Sequence, residues 1–435
     1  MFLGVERVNI DFRTFFNVIS LFTTCSFYFS KALVTRNKSQ NLKQCIESLG
    51  KKSIMYVKIF QALSGSSEIG TPELRELLNQ YSDNVPFDEN EVDYDDLLTS
   101  LNGVGNTYPE LAIQRLNPKP FHSGTVSIVY EAELKTGQPI VVKVIRPNGL
   151  ERMRQALKET MGLLRIINLI PKFRQLSLTS VIRENQPVLE NQFCTYTELS
   201  NLQHYAQHFA DDDEIIIPKV YPEFTKRNED ILVMERLYGK KVGDVQEDEK
   251  DDYGELIAKQ SIVSLVKHGI YHGDLHSGNV LFTTTDSGKK ALALLDFGIV
   301  GYLSEHEQLI LSSFYMSIGL GNYEDAVDTM LISLSDRDKF NNLSLEKRQD
   351  IQEKLVVIAR EAFTSSKGFG ADELGSINRI LSKYGLALAP VFCRIELALA
   401  MAASVSKELE TESCDMMSHI RCFIQKSLDV DVFDV

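Results

Sequence analysis

What this 435-residue chain lacks narrows it first. It is short of basic residues: 46 Lys and Arg stand against 60 Asp and Glu, a formal net charge of −14. Neutralising a phosphate backbone needs a basic surface, so a nucleic-acid partner is not expected. The acid excess is partly local, in Asp88–Asp96, Asp211–Glu214 and Glu247–Asp252. Such runs read as solvated loops or helix starts rather than sites. Cysteine is also scarce. Cys25, Cys45, Cys194, Cys393, Cys414 and Cys422 show no C-x-x-C spacing, which removes a zinc or redox motif. A disulfide framework is not expected either, and reduced thiols in an intracellular compartment are the default. No internal repeat or low-complexity tract is visible. No clear bilayer span is present: Phe15–Ser30 carries no charge and is rich in Phe, but falls short of the ~20 residues a span needs. It reads first as a buried or partner-facing helix, with a membrane-inserted or interfacial helix and a targeting segment as alternatives.

What is present is ordinary globular material, 43% hydrophobic and 24% charged, enough for two or three domains' worth of core. Residues 1–115 read as helical, with apolar spacing at Ile54, Val57, Phe60, Ala62 and Leu63. Thr71-Pro72-Glu73 has the form of an N-cap, a first-turn proline and a first-turn acid, opening a helix through Leu74, Leu77 and Leu78. Another helix is expected near Asp95–Leu101. From Pro120 the pattern turns to strands: Ser127–Leu134, a turn at Thr136–Pro139, then Ile140–Ile145. Helical periodicity returns at Leu150–Leu169 and Ser180–Phe209. Short strands follow at Ile215–Val220 and Ile231–Glu235. The remainder reads as helical except for one hairpin, Val280–Phe282 and Ala291–Leu295 around a polar turn.

That hairpin joins the two most informative segments, His272-Gly273-Asp274-Leu275-His276-Ser277-Gly278-Asn279 and Asp296-Phe297-Gly298. Together they resemble the catalytic and metal-binding loops of a protein-kinase-like phosphotransferase. In that chemistry an Asp, here Asp274, orients the attacking hydroxyl. An Asn five residues on, Asn279, and the Asp before Phe-Gly, Asp296, hold Mg²⁺ against the ATP phosphates. Upstream, Lys143 sits in the apolar strand Ile140–Val144, where a lysine can reach phosphates; an edge-strand lysine facing solvent is the alternative. Its carboxylate partner would come from a helix, with Glu184, Glu190 and Glu198 as candidates. His122–Tyr130 occupies the place of a phosphate-covering loop, and the backbone of Ser123, Gly124, Thr125, Val126 and Ser127 could cradle phosphate. Val129 would pack on adenine, and Met234-Glu235-Arg236-Leu237 has the look of the hinge that binds its edge.

In more detail the chain resembles the UbiB/ADCK-type atypical kinases over nearly its whole length. Tyr56–Ser64 is similar to that family's Lys-x-Gly-Gln motif, through Lys58 and Gln61, and Asp83-Asn84-Val85-Pro86 follows at a matching distance. Lys143-Val144-Ile145-Arg146-Pro147, His276 within the catalytic phrase, and Asp296–Gly301 also match the family's wording. The resemblance selects Glu198 as the partner of Lys143. It implies an α+β, two-lobed protein-kinase-like fold: a helical extension over 1–115, an N-lobe over 116–236 and a mostly helical C-lobe over 237–435. It implies ATP and Mg²⁺ as cofactors and a kinase or ATPase activity. It also implies ties to isoprenoid-quinone lipid metabolism, with a lipid or quinone-precursor ligand and a membrane surface as partners, and an extension lying where a kinase would bind peptide. Departures are clear. Phe60 replaces the motif glycine, Gln192 and Cys194 replace the carboxylates of a Glu-x-Asp motif, and Gly124 stands where the family has an alanine. Lacking a Cβ, Gly124 is expected to reach φ > 0 and approach the phosphates, so that Gly124→Ala would weaken ATP binding or change its nucleotide preference; a plain turn residue after Pro120 is the alternative. No Ala-Pro-Glu element follows Gly298, and a helix is expected to begin near Ser304-Glu305.

Overall fold

The structure is a computed structural model, and it describes residues 12–35, 37–64, 78, 85, 91–169, 178–331, 337–364, 371–409 and 419–420. In chain order its first half runs α1 (Phe12–Thr35), α2 (Lys38–Lys52), α3 (Ile54–Ser64), α4 (Tyr94–Gly105), β1 (Ile113–Leu116), β2 (His122–Ser123), β3 (Ser127–Leu134), β4 (Pro139–Ile145), α5 (Gly149–Ile167), α6 (Leu178–Asn191), α7 (Thr195–His208), β5 (Ile215–Ile216), α8 (Pro222–Arg227) and β6 (Ile231–Glu235). The second half runs α9 (Lys250–Val266), β7 (Ile270–His272), β8 (Val280–Thr284), β9 (Lys290–Leu294), β10 (Val300–Tyr302), α10 (Glu305–Gly319), α11 (Tyr323–Thr329), α12 (Arg337–Asn341), α13 (Leu345–Thr364), α14 (Ala371–Lys383) and α15 (Pro390–Glu408). The chain divides into two compact units, Met1–Thr195 with Glu223–Val233, and Tyr196–Pro222 with Met234–Val435.

The first unit holds a sheet of order β1-β3-β4-β6, with β2 added beside β3. β3 and β4 form the antiparallel hairpin expected from their alternation, in register from Ser127↔Ile145 to Glu133↔Pro139. The three helices α1–α3 share one hydrophobic core with α5 and α6. Leu21, Met55 and Ile59 meet Met153, Leu157 and Ile182 in that core. Phe60, which stands where the resemblance calls for glycine, packs against the same cluster. Burying such side chains stabilises by roughly 2 kcal/mol each, which fastens the extension to the lobe. A polar knot runs through it. The Glu159 carboxylate, 2% exposed on α5, accepts from Asn17 on α1 and Gln155 on α5, both at 2.6 Å, and from the Tyr56 hydroxyl on α3. A buried carboxylate is tolerable only when so supplied with donors. Cys25 and Cys45, distant in sequence, meet as hydrogen-bonded free thiols.

α1 has a second, unburied face. Thr14, Val18 and Leu21 pack inward, while Phe15, Phe16, Phe22, Phe27 and Phe29 are 40–65% exposed. The Phe15–Ser30 segment is thus a helix half-packed on its own unit. Among the described residues no helix is long and apolar enough to cross a membrane.

In the second unit β8 and β9 form the expected hairpin, with β5 added parallel to β9. β7 pairs with β10, Val300 opposite His272. Several expectations need correction. The strands begin earlier than Pro120, because β1 pairs with β3 from Ile113. The periodicity over Ser180–Phe209 is broken by a turn at 192–194 into α6 and α7. The strand at Ile215–Val220 shrinks to β5 and an isolated bridge from Val220 to Met234. Helix α4 matches expectation, capped by Asp93, whose side chain accepts from the Asp95 and Asp96 amides at 3.0 Å. The helix expected after Thr71, and the Asp83–Pro86 segment apart from Val85, lie outside the described residues.

Candidate active site

In the first unit, Lys143 sits on β4 opposite Val129 and is 7% exposed. β4 lies between β3 and β6, so the reading of Lys143 as an edge-strand residue facing solvent is excluded. Val129 is half-buried beside it on β3. The Ser123–Ser127 loop is a tight turn in which the Gly124 amide donates to the Ser127 carbonyl at 2.9 Å. That amide is committed within the loop, and the cradle expected from five successive N–H groups is reduced accordingly. Ser123, Thr125 and Ser127 are buried and Val126 packs against the core cluster. The φ > 0 expected at Gly124 is not found: its φ lies outside the left-handed region, and a Cβ there would meet only the Ser127 oxygen, at 3.6 Å, and His122 Nε2, at 4.0 Å. Alanine fits this backbone. Arg146, 3% exposed, donates from Nε to the Gly124 carbonyl at 2.9 Å and from Nη2 to Ser123 Oγ at 2.7 Å, and its Nη1 pairs with Glu91.

Glu190 is already engaged. Burial alone would raise its carboxyl pKa, but hydrogen bonds from Gln186 and Arg154 prevail and hold it below the usual range. The Glu184 side chain and the Gln61 side chain lie outside the described residues. Lys58 is half-buried on α3. The Met234-Glu235 segment falls where the chain passes from one unit to the other. The Glu235 amide is bonded to the Lys219 carbonyl at 2.8 Å, so Glu235 cannot offer its own N–H to a ligand.

In the second unit, Glu198 lies in the first turn of α7 and is 3% exposed, which excludes the solvated-helix reading. Its Oε1 accepts weakly from the Phe297 amide, at 3.5 Å. One turn on, Asn201 donates from Nδ2 to the Phe297 carbonyl at 2.7 Å and accepts from the Tyr302 hydroxyl at 2.7 Å. α7 therefore holds both backbone polar groups of the residue after Asp296. One further turn along, Tyr205 packs its ring 4.9 Å from Phe297, and Phe297 lies 5.2 Å from His272. This buried stack ties α7 to both loops. Asn201, Tyr205 and Tyr302 were not singled out from the sequence. The spacing of Glu198, Asn201 and Tyr205 on one helical face was the available signal.

The loop geometry follows from short local bonds. His272 is fully buried, and burial pulls its pKa down against the opposing pull of Asp274 and Asp296. Its Nδ1 accepts from the Asp274 amide at 3.2 Å, which requires the neutral ring. Asn279 Nδ2 donates to the Asp274 carbonyl at 2.9 Å, and the Asn279 carbonyl accepts from Leu295 at 3.0 Å. The second bond continues the β8–β9 ladder and sets Asn279 beside the residue preceding Asp296. Asp296 Oδ1 accepts from the Gly298 amide at 2.8 Å. Because its Nδ2 is turned to Asp274, Asn279 presents Oδ1 on the other side of its amide. Oxygen donors of this kind suit a hard cation such as Mg²⁺, which takes one or two side-chain ligands and completes its shell with phosphate and water. Among the described residues no group of three or more His, Cys, Asp or Glu forms a self-sufficient metal cage. The residues fit a cation shared with a phosphorylated ligand.

The family model described as the ABC1 atypical kinase-like domain matches residues 89–330, more than half of the chain. This chain belongs to that family. The match takes in Lys143, Glu198, Asp274, Asn279 and Asp296, and makes the protein an α+β, kinase-like phosphotransferase by class. The resemblance read from its motifs is borne out at that level. Among solved structures it is similar to Rv3197 from Mycobacterium tuberculosis, determined with erythromycin, at 18% identity over 86% of this chain and 92% of that one, with a TM-score of 0.47. It is also similar to the Rio2 kinase of Chaetomium thermophilum, determined as an ADP/Mg²⁺-phosphoaspartate complex, at 10% identity over 76% of this chain and 95% of that one, with a TM-score of 0.33.

Proposed function

We propose that this ABC1-family chain is a Mg-ATP-dependent kinase or ATPase that acts on, or is coupled to, a small molecule or lipid of the isoprenoid-quinone kind rather than a protein. The observation that carries the reading is the mutual arrangement of Asp274, Asn279 and Asp296. Asn279 is bonded to the backbone of Asp274 and, through Leu295, to the approach to Asp296. Asp274 would orient the attacking hydroxyl and take up its proton. Asn279 and Asp296 would hold Mg²⁺, which would supply the positive charge that offsets the charge of the phosphates. Lys143 would position the phosphates, with Glu198 the carboxylate that the resemblance assigns to it, and the Met234–Glu235 segment would meet the adenine edge.

Two observations support a non-protein acceptor. Only β10 separates Gly298 from the N-cap of α10, Ser304, which leaves no length for a peptide-docking segment. The exposed phenylalanines of α1 offer an apolar strip to a lipid surface. A second reading, a nucleotide-binding regulator or membrane-complex scaffold with little turnover, draws on Gln192 and Cys194. They put neutral groups, in the turn before α7, where the resembling family has carboxylates.

The test is thermal shift and ATP turnover by the full chain beside Asp296→Asn, with and without liposomes carrying a quinone precursor. The wild type should be stabilised by Mg-ATP, and Asp296→Asn should lose the Mg²⁺-dependent part while keeping its ligand-free melting point. An equal shift in the two proteins would remove Asp296 from the metal site. Binding without turnover would favour the second reading.

A further inference from the structure

We infer that Arg146 is the positioning residue of the nucleotide loop, and that Glu91, through Arg146, and Val85, directly, set the loop's shape. The inference rests on the proposed Mg-ATP reading of the site.

Arg146 does not have the form of a phosphate ligand. It is 3% exposed, and its guanidinium is spent on three protein acceptors: the Gly124 carbonyl, Ser123 Oγ and Glu91. Glu91 supplies the balancing charge and also meets Arg152 at 3.4 Å. A buried arginine so paired is a fixed fork, with little freedom to follow a ligand.

What the fork fixes is the direction of peptide planes. In a trans peptide the C=O and the following N–H point opposite ways. The Ser123 carbonyl accepts from the Val85 amide at 2.9 Å, and the Gly124 amide of the same plane donates to Ser127. In the next plane, Arg146 holds the Gly124 carbonyl, so the Thr125 N–H must point to the side away from the guanidinium. Two successive planes of the loop are therefore fixed from outside the loop, one by Val85 and one by Arg146. Val85 and Glu91 both precede the sheet, so each of them links the region before β1 to the loop. A shift of Glu91 would turn the Gly124–Thr125 plane through Arg146, and with it the Thr125 N–H that the loop would offer to phosphate.

The experiment combines calorimetric Mg-ATP affinity with amide hydrogen exchange over residues 122–127, on full-length wild type, Arg146→Lys, Glu91→Gln and Ser123→Ala. Lysine keeps the charge but cannot fork. The other two replacements are small and leave Arg146 buried, so they stay informative if Arg146→Lys fails to fold. Each variant should bind Mg-ATP about tenfold more weakly, the scale of one lost hydrogen bond. Each should also exchange the loop amides faster without ligand; the melting point should fall in Glu91→Gln, which takes the balancing charge from buried Arg146, and change least in Ser123→Ala. A merely structural role would lower the melting point and leave affinity alone. Wild-type affinity in Glu91→Gln and Ser123→Ala, or unchanged loop exchange, would overturn the positioning role alone. Absence of any Mg-ATP binding by the wild type would overturn the nucleotide reading and the positioning role with it.

Discussion

Two glycines of this chain carry opposite burdens. Gly301 on β10 lies against the ring of Tyr271 on β7, and a Cβ built there would fall 1.9 Å from Tyr271 Cζ. Tyr271 is 8% exposed, so its ring has no open space to move into. Gly301→Ala is expected to cost about 1–3 kcal/mol, the usual scale of overpacking. It should also loosen the β7–β10 pairing that seats His272. Gly124→Ala meets nothing closer than 3.6 Å and needs no unusual φ. Its melting point should match the wild type, and its Mg-ATP affinity should be unchanged, contrary to what the missing Cβ suggests from sequence. Parallel melts of the two variants check both statements. The same contrast explains what could be read in advance. Asp274, Asn279 and Asp296 were legible because their spacing is short and their chemistry demands those residue types. Arg146 gripping Glu91, or Asn201 gripping Phe297, joins residues 55 and 96 positions apart. No local pattern marks such a pairing.

Among the elements, legibility followed the range of the forces that make them. The β3–β4 and β8–β9 hairpins are set by turn chemistry between adjacent strands, and both were read correctly. The start of α10 is equally local. Ser304 Oγ accepts from the Glu307 amide at 3.3 Å, and the Glu307 carboxylate accepts from the Ser304 amide at 2.8 Å. This is a capping box, and the Ser304 amide and hydroxyl hold the Glu307 carboxyl pKa below its ordinary value. Strands β1, β7 and β10 were missed because each has three or four residues and owes its existence to a partner far along the chain. The break between α6 and α7 was missed because apolar spacing runs through it. The cap is open to test. Ser304→Ala should lower stability by about 1 kcal/mol, and Ser304→Thr should restore most of it, because its hydroxyl can both accept from the Glu307 amide and donate to the Glu307 carboxylate. Urea unfolding midpoints of the three proteins measure this. A Ser304→Ala midpoint equal to wild type would show that tertiary packing of Leu311, Phe314 and Tyr315 alone fixes the start of α10.

At the scale of the whole molecule, one buried acid links stability to pH. Glu396 on α15 is 3% exposed and accepts from the Tyr315 hydroxyl of α10 at 2.6 Å. Phe314 and Phe392 meet edge to face nearby, with centroids 5.4 Å apart. Burial pushes the Glu396 carboxyl from an ordinary 4.5 up to about 7, with the Tyr315 hydrogen bond only partly opposing it. The group therefore holds its proton in the folded protein over a range where the unfolded chain has lost it. Below about pH 4.5 both states are protonated and Glu396 costs nothing. Between that pH and about 7 the folded state binds more protons, so stability falls as pH rises, and above about 7 the loss is complete. The full loss is roughly 3 kcal/mol, from the size of the shift. Glu396→Gln keeps an oxygen to accept from Tyr315 and removes the charge. It should raise stability at pH 8 by that order and leave stability at pH 4.5 nearly unchanged. It should also flatten the part of the profile between the two. Denaturant unfolding across pH 4.5–8.5 provides the comparison. Parallel wild-type and Glu396→Gln profiles would mean that Glu396 is already charged in the fold at neutral pH.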